Sequence, residues 1–250
     1  MDRFIILAAR RSGITLLIQS LDSHPQVQCH KYVFSTRRRL RYFQVDTPGS
    51  LFYEFRTASA ERQMDYVFRR KRLIDAFLTG LYAPADGPKA VGLRLAYGQA
   101  DKYPEILEWA MENDVGVIHL VRENCLKTVV SDFTAQKRGV YHSSSSVERV
   151  TVRLSPRKLK RRLTWLTKEI EKYRTMLKDR RYCEVSYESF VANRDAEARR
   201  ILEFLHVNQC VPLTAGLMKL NPDSLEDILE NYEQVARAFK GTAFERYLTM

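Results

Sequence analysis

Apolar positions along the 250-residue chain follow two periods. Short, nearly continuous apolar runs bounded by polar or turn residues predict strands at 3–9, 26–30, 90–95, 115–121 and 182–187. Between them, apolar residues recurring every three or four positions predict helices at 14–22, 61–82, 101–113, 124–138, 156–179, 195–206 and 223–239. Short buried-type strands alternating with amphipathic helices predict an α/β fold, a single domain with a central parallel sheet flanked by helices. Ligands in such sheets sit beyond the carboxyl ends of the strands. The helix at 156–179 is the most regular: Ser155 suits its cap, Pro156 suits its first position, and Leu159, Leu163, Leu166, Ile170, Tyr173 and Leu177 form one stripe. That stripe packs on the domain core or pairs with a partner helix. Asp195 can cap the next helix. Gly139 and the run Ser143–Ser146 mark 139–155 as a loop, either a mobile lid or a simple connector.

Charge adds a preference for anionic partners. The net charge is +11 and uneven: residues 31–72 hold eleven Lys/Arg against four Asp/Glu, residues 149–181 hold thirteen against three, and residues 221–234 hold five acids and no base. Such fields draw in nucleic acid, an anionic cofactor, an acidic glycan or a membrane surface, or they merely solvate helices. The four cysteines, Cys29, Cys125, Cys183 and Cys210, are far apart, with no metal-ligand spacing and no disulfide framework, so a reducing compartment is expected. The first apolar run is too short for a signal peptide or a membrane span, which predicts a cytoplasmic protein.

Candidate chemistry concentrates in residues 3–21. The run Phe4-Ile5-Ile6-Leu7 leads through small residues to Arg10-Arg11-Ser12-Gly13 and then to the apolar stretch from Ile14 to Leu21. This reads as a buried strand, a basic turn and a helix start, whose unpaired N–H groups and partial positive charge attract phosphate or sulfate. Gly13 removes the side chain where an anion must approach; Arg11, Ser12 and Thr15 add a charge and two hydroxyls. A Walker A loop is excluded, since Ala8 stands at its first glycine position and Arg11 precedes the only glycine.

Four stretches in order resemble the sulfotransferases that use 3′-phosphoadenosine-5′-phosphosulfate (PAPS), especially bacterial members acting on glycans or small metabolites. Arg11-Ser12-Gly13-Ile14-Thr15-Leu16-Leu17, with His24-Pro25 after it, resembles the 5′-phosphosulfate loop. Val117-Ile118-His119-Leu120-Val121-Arg122, with Ser131 nine residues on, resembles the 3′-phosphate motif, and Gly139-Val140-Tyr141-His142 resembles a G-x-W-H that follows in bacterial relatives. Val185-Ser186-Tyr187-Glu188-Ser189-Phe190, followed by Ile201-Leu202-Glu203-Phe204-Leu205, is similar to the family's "YE-D-L … FL" block. Phe239-Lys240-Gly241-Thr242 is similar to the C-terminal K-G loop.

The resemblance implies a P-loop-NTPase-like sulfotransferase fold, PAPS as cofactor with adenosine 3′,5′-bisphosphate (PAP) as product, and no metal. The phosphosulfate would rest on Arg11, Ser12, Gly13, Ile14, Thr15 and Leu16. The 3′-phosphate would meet Arg122, Ser131 and the Lys240-Gly241-Thr242 loop, with Tyr187 near the adenine. The acceptor would be a hydroxyl or amine of a glycan, lipid or small metabolite, bound along 31–72, where Tyr42, Phe43, Phe52, Tyr53 and Phe55 lie among arginines.

The pattern breaks at the general base. Bacterial relatives carry a Glu where this chain has Tyr32, and Ile14 replaces an expected hydroxyl. His30 is the first candidate base, His142 the second, and Tyr32 a third if a neighbouring cation eases its ionisation. Two other readings stay open: a catalytically weak or inactive nucleotide-binding protein of the same fold, and a basic RNA-binding protein. No known RNA motif appears and the basic residues are spread over several helices, so no nucleic-acid partner is expected.

Overall fold

The computed structural model describes residues 1–35, 51–83, 87–139, 150–208, 210–215 and 224–249. Five strands, β1 (Asp2–Ala8), β2 (Val27–His30), β3 (Ala90–Ala96), β4 (Gly116–Val121) and β5 (Tyr182–Ser186), form one sheet in the order β2-β3-β1-β4-β5. All four pairings are parallel. Each strand lies within two residues of its predicted bounds. The reason is visible in β1: Phe4, Ile6 and Ala8 enter the core on one face, Ile5 and Leu7 on the other, and none is exposed. A strand covered on both sides must be apolar without interruption. The chain places β2 and β3 to one side of β1 and then crosses to place β4 and β5 on the other. The reversal opens a crevice at the carboxyl ends of β1 and β4.

The helices are α1 (Ile14–Asp22), α2 (Phe52–Thr57), α3 (Ala60–Phe68), α4 (Arg70–Leu81), α5 (Tyr97–Lys102) and α6 (Glu105–Glu112), then α7 (Cys125–Arg138), α8 (Pro156–Leu177), α9 (Tyr187–Ala192), α10 (Arg194–Phe204), α11 (Tyr232–Phe239) and α12 (Arg246–Thr249). The helix predicted over 61–82 is two, broken at Arg69 with φ −139 and ψ 43. The helix predicted over 101–113 is also two, because Pro104 disfavours helical geometry at Tyr103. The helix predicted from 223 starts only at Tyr232; before it, Ile228 and Glu230 bond through their backbones to Val152. Asn193, not Asp195, precedes α10, which leaves Asp195 in the first turn, where its charge suits the helix dipole. In α8, Pro156 opens the helix as expected, but Ser155 makes no side-chain cap.

The stripe of α8 is a core stripe: all six of its apolar residues are buried against the sheet-side cluster. Their burial contributes on the order of 10 kcal/mol. The aromatics of 31–72 also serve packing. Phe52, expected on an acceptor surface, is 2% exposed and packs with Phe34, Phe77 and Tyr103. Phe55 lies against Phe77, with the Arg62 guanidinium 4.0 Å above its ring. Tyr42, Phe43 and the run Ser143–Ser146 lie outside the described residues.

One polar residue interrupts the apolar run of β4. His119 is fully buried, its Nε2 2.6 Å from the Tyr97 hydroxyl and its Nδ1 2.8 Å from the Tyr182 hydroxyl. Tyr182 in turn donates to Glu184, which Arg174 of α8 holds through two bonds at 2.8 and 2.6 Å. Burial pushes the His119 pKa down to about 4, so the imidazole is neutral and hydrogen-bonded. The network pins β4 to β5 and α8, and so fixes the strand that ends one residue before Arg122.

Candidate active site

The turn from β1 to α1 has unusual backbone geometry. Arg11 (φ 67) and Gly13 (φ 94) both lie in the left-handed region. Gly13 is the cap of α1 and offers no side chain to its first N–H groups. The need for glycine is double: a Cβ there would lie 2.2 Å from Cδ2 of Tyr187, whose ring sits against the turn. Ser12 is 1% exposed, and its hydroxyl donates to the Ala9 carbonyl at 2.7 Å. That hydroxyl, expected to face an anion, is committed to closing the turn; the Ser12 backbone N–H remains as the group to offer. Ile14 is 3% exposed and packs in the core, which explains an apolar residue at that position. Leu16 and Thr15 are half-buried.

Arg122, just past β4, reaches back to this turn. Its Nη1 donates to the Arg11 carbonyl at 3.4 Å, and its guanidinium lies 4.8 Å from the Tyr187 ring centre. The Arg11 Nε donates to the Ser131 hydroxyl on α7 at 3.2 Å. Thus Arg11, Gly13, Arg122, Ser131 and Tyr187, spread over the sequence, meet at one place. The residues expected to hold two separate anions lie side by side, Arg11 bonding through its side chain to Ser131 and through its carbonyl to Arg122.

The site is strongly cationic. Burial and the neighbouring Arg10, Arg122 and Arg138 push the Arg11 pKa down to about 10, while Asp132 opposes the shift. Burial also lowers that of Arg122, against the pull of Tyr187 and Glu188. Asp132 is 6% exposed, 3.4 Å from Arg10 and 3.3 Å from Arg162, and accepts from Gln136. The Arg10 and Arg162 guanidiniums that pair with Asp132 stay partly in solvent, and with Arg11 and Arg122 beside them the excess of cations over this one carboxylate favours an anion of two or more charges. Asp132 and Glu188 are the residues that sequence reasoning missed. Each stands one position after a named residue, Ser131 and Tyr187, but which arginine a carboxylate meets is set by the tertiary fold.

The K-G loop differs from expectation. Lys240 and Gly241 are exposed at the end of α11, with Gly241 at φ 70. The Gly241 N–H donates to Glu245 Oε2 at 2.8 Å and the Thr242 N–H to the Phe239 carbonyl at 2.9 Å. Both groups assigned to a phosphate therefore have internal partners here, because the turn closes on itself.

Two of the three base candidates, His30 and Tyr32, lie at and just after the end of β2, toward the other side of the same sheet edge. His30 ends β2 and pairs in register with Leu93 of β3. It is 7% exposed, its Nδ1 has no hydrogen-bond partner among the described residues, and burial lowers its pKa against the pull of Asp22. The Arg94 guanidinium lies 5.8 Å from the Tyr32 ring centre, so a cation does adjoin that phenol. His142 lies outside the described residues. No group of three or more His, Cys, Asp or Glu among the described residues could hold a metal ion, and no described helix is long and apolar enough to cross a membrane.

A sequence profile of the sulfotransferase family matches residues 3–209. The chain belongs to the sulfotransferase family. No curated protein sequence matches it. Among solved structures it is similar to a sulfotransferase from Alicyclobacillus acidocaldarius (TM-score 0.52, 16% identity, 100% of this chain and 96% of that chain covered). It is also similar to the sulfotransferase domain of the Synechococcus PCC 7002 olefin synthase (TM-score 0.48, 18% identity, 100% and 92% covered). The first likeness shows the fold, a single α/β domain of the sulfotransferase, P-loop-like type.

Proposed function

We propose that the protein transfers a sulfuryl group from PAPS to a hydroxyl or amine of a glycan, lipid or small metabolite. The observation that carries this reading is the meeting of Arg11, Arg122 and Ser131 at the glycine-capped start of α1. A nucleotide with anionic groups at its 5′ and 3′ positions matches such a cluster, since guanidinium pairs bidentately with phosphate and sulfate oxygens. When bound, PAPS supplies the activated sulfuryl group.

The chain's own residues divide the remaining work. The α1 start and Arg11 orient the phosphosulfate end and stabilise negative charge on the departing bridging oxygen. Arg122 and Ser131 hold the 3′-phosphate, and Tyr187 borders the adenine. His30, neutral at pH 7 because burial lowers its pKa, takes the acceptor's proton as the new bond to sulfur forms. Lys240, Gly241 and Thr242 join the pocket only if their turn opens.

A calorimetric titration with PAP tests the cofactor, with micromolar-range binding as the expected outcome. Absence of heat at high ligand concentration sinks the proposal. Transfer of labelled sulfate to candidate acceptors tests turnover: His30→Ala is expected to abolish it while PAP binding persists, and His142→Ala to leave it. The reading of a nucleotide-binding protein with little turnover is favoured by Tyr32 at the expected Glu position. It prevails if PAP binds and no acceptor is sulfated.

A further inference from the structure

The start of α7 lies beside the site, and Glu188 already occupies it. The Glu188 carboxylate accepts from the backbone N–H groups of Glu123 at 2.9 Å and Asn124 at 3.3 Å. The same carboxylate lies 4.0 Å from Nε of Arg122. It therefore bonds to the two peptide groups that follow Arg122 and faces the Arg122 guanidinium as a charge, without a hydrogen bond to Nε. The Asn124 side chain satisfies a third N–H, that of Lys127, at 2.9 Å, and donates to the Tyr247 carbonyl at 3.0 Å. A 14-residue helix whose start would otherwise attract an anion is thus filled from within.

We infer that Glu188 is a positioning residue for 3′-phosphate recognition. It fills the α7 start, holding the backbone on which Arg122 stands, and sets a negative charge against the Nε edge, while the Nη edge bonds to the Arg11 carbonyl and reads the 3′-phosphate. This rests on the nucleotide reading above and deepens it. The arrangement assigns the ligand to side chains at this end of the nucleotide, and to a helix start at the other.

The test compares two ligands, PAP and adenosine 5′-monophosphate, which lacks the 3′-phosphate. The wild-type chain is expected to prefer PAP by about a hundredfold, the size of two charge-assisted hydrogen bonds. In Glu188→Gln and Glu188→Ala, affinity for PAP falls about tenfold while affinity for the monophosphate stays the same, so the preference shrinks by that factor. A merely structural role lowers both affinities together and leaves the ratio intact, which overturns the inference even if the variants are less stable. If the wild-type chain itself shows no preference for PAP, the nucleotide reading falls instead. Glu188→Asp, too short to reach both partners, is expected to behave like Glu188→Gln; full retention of the ratio in it counts against the inference.

Discussion

The helix that follows β1 and the helix that follows β4 begin in opposite ways. At α1 the cap is Gly13, which has no side chain to give the helix start, and Arg10 and Arg11 stand shortly before it. At α7 the Asn124 side chain and the Glu188 carboxylate satisfy the start, and Arg122 stands before it. Both are strand–turn–helix connections at the same edge of one parallel sheet. One helix start carries a glycine cap, whereas the other is satisfied internally by two side chains behind its preceding arginine. Proximity of a helix start to a cleft does not by itself mark an anion site; the identity of the cap decides.

The sharpest break of this contrast is Gly13→Ala. A methyl group at φ 94 is strained, and it collides with Tyr187. PAP affinity is expected to fall by about a hundredfold or more in calorimetry, with a lower Tm. Next is Arg122→Ala, which leaves α7 capped and removes the cation it presents; a loss of about thirtyfold is expected. Ser131→Ala removes one neutral hydroxyl and should cost about fivefold. The smallest effect on binding is expected for Asn124→Ala. Loss of its cap lowers stability by about 1 kcal/mol in urea denaturation, and PAP affinity is unchanged because Glu188 still covers the helix start. If Asn124→Ala instead weakens PAP as much as Arg122→Ala, the two helix starts are not distinguished as described.

The sheet was legible because its strands are buried on both sides and so read as unbroken apolar runs, as in Phe4 to Ala8. Helix breaks were less so: Arg69 interrupts a periodic pattern without glycine or proline, and only the packing of α3 and α4 as separate helices reveals it. At the site, Arg11, Gly13 and Arg122 were readable from the turn and the strand ends, Ser131 and Tyr187 only through the family resemblance, and all five meet. The direction of a hydroxyl was not, and Ser12 turns to Ala9. Neither were the partners of Asp132 and Glu188, because both carboxylates act on arginines contributed by other parts of the chain. Phe52 illustrates the reverse error: an aromatic among arginines reads as a surface, yet it fills the space between α2, α4 and Tyr103.

His119 has a consequence for acid tolerance. The unfolded imidazole takes a proton near pH 6.5, the folded one only near 4, so between these values the unfolded chain binds the extra proton and gains. Stability is complete above the upper value and drains as pH falls toward the lower one, by about 2 kcal/mol at pH 5. Urea denaturation at pH 8 and pH 5 reads the slope, and His119→Asn is expected to flatten it. The strand that ends one residue before Arg122 thus hangs from an uncharged ring between two phenols, and a single added proton would loosen that hinge pin.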